Sequence, residues 1–284
     1  MNDAYKSIYK LETDYEKIYT NIIEKTKQYV DKNNIKSLVV GLSGGIDSAL
    51  VVALASSIPV RIIGHMIPIV SNKEDEMRRA EKIAYAFCTE HKIVDMSNLY
   101  YQMADFLKLP KESDDPKVLV AKGNIKARLR MMDLYDTAGR NNGMVLSTDN
   151  FTEWLLGFWT LHGDVGDYGM IQQLWKTEVY GLSEYIVDKL QKDGPDILAE
   201  ALQLCIDATP TDGLGITNSD FDQIMPDYDR SKSAAYNYKL VDLKLINYLA
   251  GDNKDVDNPV IKRHLASAFK RINPYSIPRQ ELVG

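Results

Sequence analysis

The chain has 284 residues, 45% of them apolar, and a formal net charge of -6. That length suits one large α/β domain, alone or with helical additions, and the acidic balance, with no long basic run, argues against broad nucleic-acid affinity. Two distant cysteines, Cys88 and Cys205, form no disulfide or zinc framework, and no stretch approaches the roughly 20 apolar residues of a membrane span, so a soluble cytoplasmic protein is expected.

The first predicted element is a long helix, because Ile8, Leu11, Tyr15, Ile18, Ile22 and Tyr29 recur at helical steps until Asn33 and Asn34. Residues 37–42 form a short apolar run entering a Gly-rich turn, as a buried parallel strand does. A helix over 48–56 follows. Then come a strand over 60–66, a helix over 73–87, a strand over 92–96 and helices over 99–107 and 117–138. A strand over 143–147 and a helix over 151–160 complete the alternation. It predicts an α/β fold, doubly wound, with a mostly parallel sheet and helices on both faces. Beyond Lys176 the pattern is mainly helical, punctuated by Pro195, Pro210 and Pro226. Residues 209–218 read as a loop and a candidate lid. No composition shift marks a second domain. A single unit over 1–284 is expected: a helix over 1–34, a nucleotide-binding core over 35–175 and a helical part over 176–284.

Gly41, Leu42, Ser43, Gly44, Gly45, Ile46, Asp47 and Ser48 sit between a strand and a helix. Gly44 and Gly45 allow a tight turn and close backbone approach to a ligand. The helix N-terminus behind them offers N–H groups and about half a positive charge to an anion. Asp47 is out of place in an anion site unless it holds a cation that bridges phosphates; otherwise it is a helix cap. The spacing matches neither a Walker-type loop nor a dinucleotide fingerprint. The order S-G-G-x-D-S after an apolar strand resembles the pyrophosphate loop of ATP pyrophosphatases, which cleave ATP between its α and β phosphates and adenylate a substrate.

A second cluster, residues 145–153, closes a strand and opens a helix. Functional groups gather at such carboxyl ends. Glu153 in the first helical turn is either a charge favoured by the dipole or a second magnesium ligand alongside Asp47. Then follow Gly157-Phe158-Trp159-Thr160, Gly163-Asp164 and Lys176-Thr177-Glu178-Val179-Tyr180. Upstream lies Lys122-Gly123-Asn124-Ile125-Lys126-Ala127-Arg128-Leu129-Arg130-Met131; downstream lie Pro210-Thr211 and Lys270-Arg271-Ile272-Asn273-Pro274. This ordered set, spanning residues 41–274, is similar to that of ammonia-dependent NAD synthetases.

The resemblance implies a ligase that adenylates deamido-NAD with ATP and Mg²⁺, then amidates it with ammonia to give NAD, AMP and pyrophosphate. It implies that the 41–48 loop, Thr148, Lys176 and Thr211 contact ATP, and that Asp47 and Glu153 bind Mg²⁺. Arg128, Asp167, Phe269 and Lys270 would contact deamido-NAD, with Asp164 a second candidate in the Asp167 role and a candidate proton acceptor from ammonium. Lys176 and Asp164 are the catalytic candidates. Alone, Arg128 could also be a solvated helix charge, and Lys270 reads equally as part of a solvated basic face. Three positions depart from the family. Leu161 stands where a Lys is common, leaving His162 as the nearest polar candidate; the 163–169 loop is one residue short; and Phe269 replaces a frequent His. The resemblance further implies a homodimer, to which the first helix contributes unless its apolar stripe is intramolecular core. With no glutaminase domain expected, free ammonia or a separate partner would supply nitrogen. The alternatives are another adenylating ATP pyrophosphatase, such as a tRNA-modifying enzyme, and a non-catalytic nucleotide sensor. The former would want a cysteine pair and a basic surface, neither of which is visible.

Overall fold

In the computed structural model, residues 10–70, 74–211, 219–251 and 255–283 are described. Helix α1 (Tyr15–Lys32) starts where the Asp14 carboxylate accepts the Lys17 N–H at 3.1 Å, an N-cap. Strand β1 (Ser37–Gly41) leads through the glycine turn into helix α2 (Ile46–Ala55). Strand β2 (Arg61–Met66), helix α3 (Glu74–Phe87), strand β3 (Glu90–Ile93), helix α4 (Ser97–Phe106) and helix α5 (Pro116–Arg140) follow. Strand β4 (Gly143–Ser147), helix α6 (Phe151–Leu156) and strand β5 (Tyr168–Gly169) complete the sheet region. Helices α7 (Lys176–Asp193), α8 (Asp196–Ile206), α9 (Phe221–Ile224), α10 (Ala234–Leu249), α11 (Pro259–Ala266) and α12 (Arg279–Val283) form the rest, with a 3₁₀ turn at Ala268–Arg271.

The sheet is parallel throughout, in the order β3-β2-β1-β4-β5. Val39 of β1 pairs with Ile63 of β2 on one side and Val145 of β4 on the other. Successive side chains of a strand point to opposite faces. Leu38 and Val40 therefore pack with α2, α7 and α8, whereas Val39, Ile63 and Val145 meet Ala138 of α5. Helix α2 is buried nearly all round, from Ile46 to Ala55, as its run of apolar residues requires. The α/β class and the covered parallel sheet agree with the sequence expectation.

Three boundaries differ from it, and one strand was not expected. Helix α1 begins at Tyr15, so Leu11 of the expected helix over 1–34 precedes it, the Asp14 cap setting the start. β3 runs over Glu90–Ile93, not 92–96. This is an edge strand, fixed by pairing of Ile63 with Glu90 and by an Arg61–Glu90 ion pair at 2.5 Å, while Val94 and Met96 turn inward to pack beneath α4. Helix α6 stops at Leu156 rather than 160, because Gly157 adopts φ 65° and closes the helix. β5 is two residues long, too short to carry a periodic signal. Ile8, Lys73 and residues 212–218 of the expected lid lie outside the described residues. No helix among the described residues is long and apolar enough to cross a membrane.

Candidate active site

β1 has β2 on one side and β4 on the other, so the chain winds away in both directions at the β1/β4 junction. Ligands of open α/β sheets bind in the crevice beyond the strand ends at such a point. Here the crevice is a cleft of about 600 Å³. The loop after β1 and the loop after β4 both open into it.

Gly44 takes φ 78°, and a Cβ there would stand 2.2 Å from the Glu76 carbonyl oxygen; only glycine lets the loop pass α3 so closely. Within the loop, the Ser48 hydroxyl accepts the Ser43 N–H at 3.3 Å, and the Ser43 hydroxyl accepts the Gly45 N–H at 3.2 Å. Helix α2 has no side-chain cap at Gly45, which leaves its positive end facing the cleft. Asp47 in its first turn is therefore not the cap.

Asp47, Glu153 and Lys176 converge from α2, α6 and α7. The Lys176 ammonium donates to Asp47 and, at 2.8 Å, to Glu153, with its side chain only 3% exposed. Asn150 orients both acids. Its amide N–H donates to Asp47 Oδ1 at 2.8 Å, and its side-chain oxygen accepts the Glu153 N–H at 3.0 Å. Burial, and next the Asp47 charge, push Glu153 up to about 7, against the pull of Lys176. Burial opposes charge on Lys176, but Asp47 and Glu153 outweigh it and hold the ammonium above its ordinary value. Lys176 also lies 5.3 Å from the Tyr238 ring centre, whose hydroxyl donates to Asp220 at 2.7 Å.

The two carboxylates already embrace one cation, so their donor set suits Mg²⁺. Among the described residues no group of three or more His, Cys, Asp or Glu could hold a metal. Two protein oxygens would therefore need phosphate oxygens to complete the shell.

The cleft also takes in Thr148, Thr211, Asp164 and Lys270. The Thr211 hydroxyl donates to Glu76 at 3.4 Å. Asp164 accepts the Thr160 N–H at 2.5 Å, and burial raises its pKa. Lys270 donates to the carbonyls of Gly157, at 2.7 Å, and Trp159, and burial lowers its pKa. Three sequence candidates stand apart. Arg128 donates to the Leu161 carbonyl at 3.3 Å and is not a lining residue. Asp167 accepts the Val145 N–H at 2.9 Å and the Tyr135 hydroxyl at 3.0 Å, tying its loop to β4. Phe269 is 64% exposed. His162 lies with Nε2 at 3.3 Å from the Asn273 amide.

The sequence reading missed Arg79, Arg130 and Asn150. Arg79 of α3 donates to the Gly44 carbonyl at 2.8 Å beside the loop. Arg130 of α5, a half-buried guanidinium on the cleft wall, donates to the Ile67 carbonyl at 3.1 Å. Arg79 carries no local signature, since long-range packing alone brings it there; Arg130 lies in the matched 122–131 segment but was given no role. Asn150 had one: an N-cap residue three before a Glu is a capping-box pattern.

Residues 18–274 match the NAD synthase family model. The NH(3)-dependent NAD(+) synthetase of Mycoplasmopsis pulmonis is 39% identical over 190 residues, covering 66% of this chain and 70% of that one. That of Mesoplasma florum is 36% identical over 211 residues, 72% of this chain and 80% of its own. Among solved structures, NMN synthetase from Francisella tularensis superposes with a TM-score of 0.73 at 24% identity, covering 94% of this chain and all of that one; at that identity the likeness concerns the fold.

Proposed function

The chain belongs to the NAD synthase family, and from that premise we propose that it converts deamido-NAD to NAD with ATP and ammonia, through an acyl-adenylate formed at the β1/β4 crevice. The carrying observation is the meeting of Asp47, Glu153 and Lys176 at the open end of the glycine loop.

A carboxylate is a poor acyl electrophile and must be activated. An oxygen of the nicotinate carboxylate attacks the α-phosphorus of ATP, the bond to the β-phosphate oxygen breaks, and pyrophosphate leaves. Ammonia then attacks the acyl carbon, the bond to AMP breaks, and the nitrogen loses a proton. Asp164, lining the cleft with its pKa raised by burial, is our candidate acceptor for a proton from ammonium. The loop N–H groups, Arg79 and Lys176 supply fixed positive ends where phosphate charge moves. Asp47 and Glu153 are the candidate Mg²⁺ ligands; the ion, when bound, would neutralise departing pyrophosphate. Lys176 would then exchange its carboxylate partners for a phosphate.

Lys270 and Thr148 remain candidates for substrate contact, supported by their place in the cleft wall. Arg128, Asp167 and Phe269 would need contacts from outside the cleft of one chain. A homodimer is supported by exposed Tyr29 on α1 and by Val120, Met132 and Tyr135 on α5. Val120 and Tyr135 border the cleft, so a partner there would extend the substrate site. Dependence on ATP favours a cytoplasmic setting.

The test is incubation with ATP, Mg²⁺ and either deamido-NAD or nicotinate mononucleotide, which carry the same reacting carboxylate, with ammonium or glutamine as nitrogen donor. NAD from deamido-NAD and ammonium is the expected product. Amidation of the mononucleotide alone, or of neither acceptor, would overturn the assignment.

A further inference from the structure

Glu153 and Lys176 arrive on different helices, and a residue of α10, outside the cleft lining, bridges the two. Asp242 is 0% exposed. Its Oδ1 accepts the Thr152 hydroxyl at 2.6 Å. Its Oδ2 accepts both the Thr177 N–H at 2.8 Å and the Thr177 hydroxyl at 2.5 Å. The Thr152 oxygen in turn accepts the Lys176 N–H at 2.8 Å. Each partner of Asp242 is thus the chain neighbour of a site residue: Thr152 precedes Glu153, and Thr177 follows Lys176.

A buried carboxylate is costly unless hydrogen-bonded. This one has donors on both oxygens, and one is an N–H in the first turn of α7, where negative charge is favoured. Val241 and Leu245 of the same helix, both 0% exposed, join the main apolar core and supply hydrophobic packing for α10. What the carboxylate adds is a fixed relation between the starts of α6 and α7. Those starts set where Glu153 and Lys176 stand relative to Asp47.

We propose that Asp242, acting through Thr152 and Thr177, is a positioning residue for adenylation. It clamps α6 to α7 so that Glu153 and Lys176 meet Asp47 and MgATP in register. The inference rests on the proposed function, because the step it serves is that reaction. A reacting group displaced by about 1 Å loses on the order of 10²-fold in rate, so loosening the clamp acts on turnover more than on binding of deamido-NAD.

The test uses substitutions that separate hydrogen bonding from packing. Thr152→Val keeps the shape and removes the hydroxyl; Thr152→Ser keeps the hydroxyl and removes a methyl. Asp242→Asn and Thr152→Val are expected to lower kcat by roughly tenfold or more and to weaken MgATP binding, read by calorimetry, with KM for deamido-NAD unchanged. Thr152→Ser is expected to restore both. The reverse order, with Ser impaired and Val intact, would assign the network to packing and overturn the clamp. If Asp242→Asn does not fold, the Val/Ser pair carries the decision alone. A wild-type enzyme that makes no NAD would overturn the proposed function, and the order of MgATP affinities would still decide the clamp.

Discussion

An ammonium as buried as Lys176 stays charged only beside negative partners, and it has two, Asp47 and Glu153. With both carboxylates ionised the three charges sum to one negative, which makes the variants unequal. Asp47→Asn or Glu153→Gln leaves a neutral lysine–carboxylate pair, so folding should survive. Loss of a proposed metal ligand should still remove at least ~2 kcal/mol of transition-state stabilisation, about 30-fold in turnover. Near-normal turnover at saturating Mg²⁺ in either variant would remove that residue from the metal site. Lys176→Met instead leaves two buried carboxylates facing each other, and uncompensated buried charge costs several kcal/mol. Its melting temperature should fall, and Mg²⁺ without ATP should raise it more than it raises the wild type's; an equal response would contradict the idea that ammonium and metal compete for the same oxygens. These three residues were legible in the sequence because each lies in a short ordered motif. Arg79 and Asp242 were not: their roles come from contacts to Gly44 and to Thr152 and Thr177, far away in the chain.

The elements that deliver these groups owe their ends to single residues. Gly157 closes α6 at φ 65°, and a Cβ there would meet Ser267 Cβ at 2.4 Å. Gly157→Ala combines backbone strain with that clash and should destabilise by about 2 kcal/mol or more in urea unfolding; a change within 0.5 kcal/mol, on the order of a surface substitution, would contradict the packing. Periodicity over 151–160 suggested a longer helix because apolar Phe158 and Trp159 continue the pattern, and only the left-handed glycine stops it. Helix α10 has its own pH signature. Burial raises Asp242 from its ordinary 3.8 to about 6, opposed by its bonds to Thr152 and Thr177. Between those values the folded state binds more protons than the unfolded, so the stability from this group is complete below about 3.8 and is lost as pH rises through about 6. Across that window the stability advantage of wild type over Asp242→Asn should shrink by up to about 3 kcal/mol. A gap constant from pH 4 to 7, measured by denaturant titration, would contradict the buried titration.

For the molecule as a whole, strand–helix alternation carried the fold class, but the strand order β3-β2-β1-β4-β5 depends on pairings no local pattern states. That order creates the crevice, placing the loops after β1 and β4 side by side. The helical C-terminal part then adds Lys176 of α7 and Lys270 of the 3₁₀ turn to the cleft wall, with Asp242 of α10 behind it. The proposed mechanism separates activation of the acid from delivery of nitrogen. The direct measurement is a single turnover with enzyme in excess over ATP, deamido-NAD and Mg²⁺ present and ammonia withheld. Pyrophosphate should appear in a deamido-NAD-dependent burst with no NAD formed, and later ammonium should convert the bound intermediate to NAD and AMP. Pyrophosphate released only once ammonium is present, or ADP and phosphate in place of AMP and pyrophosphate, would contradict the adenylation mechanism.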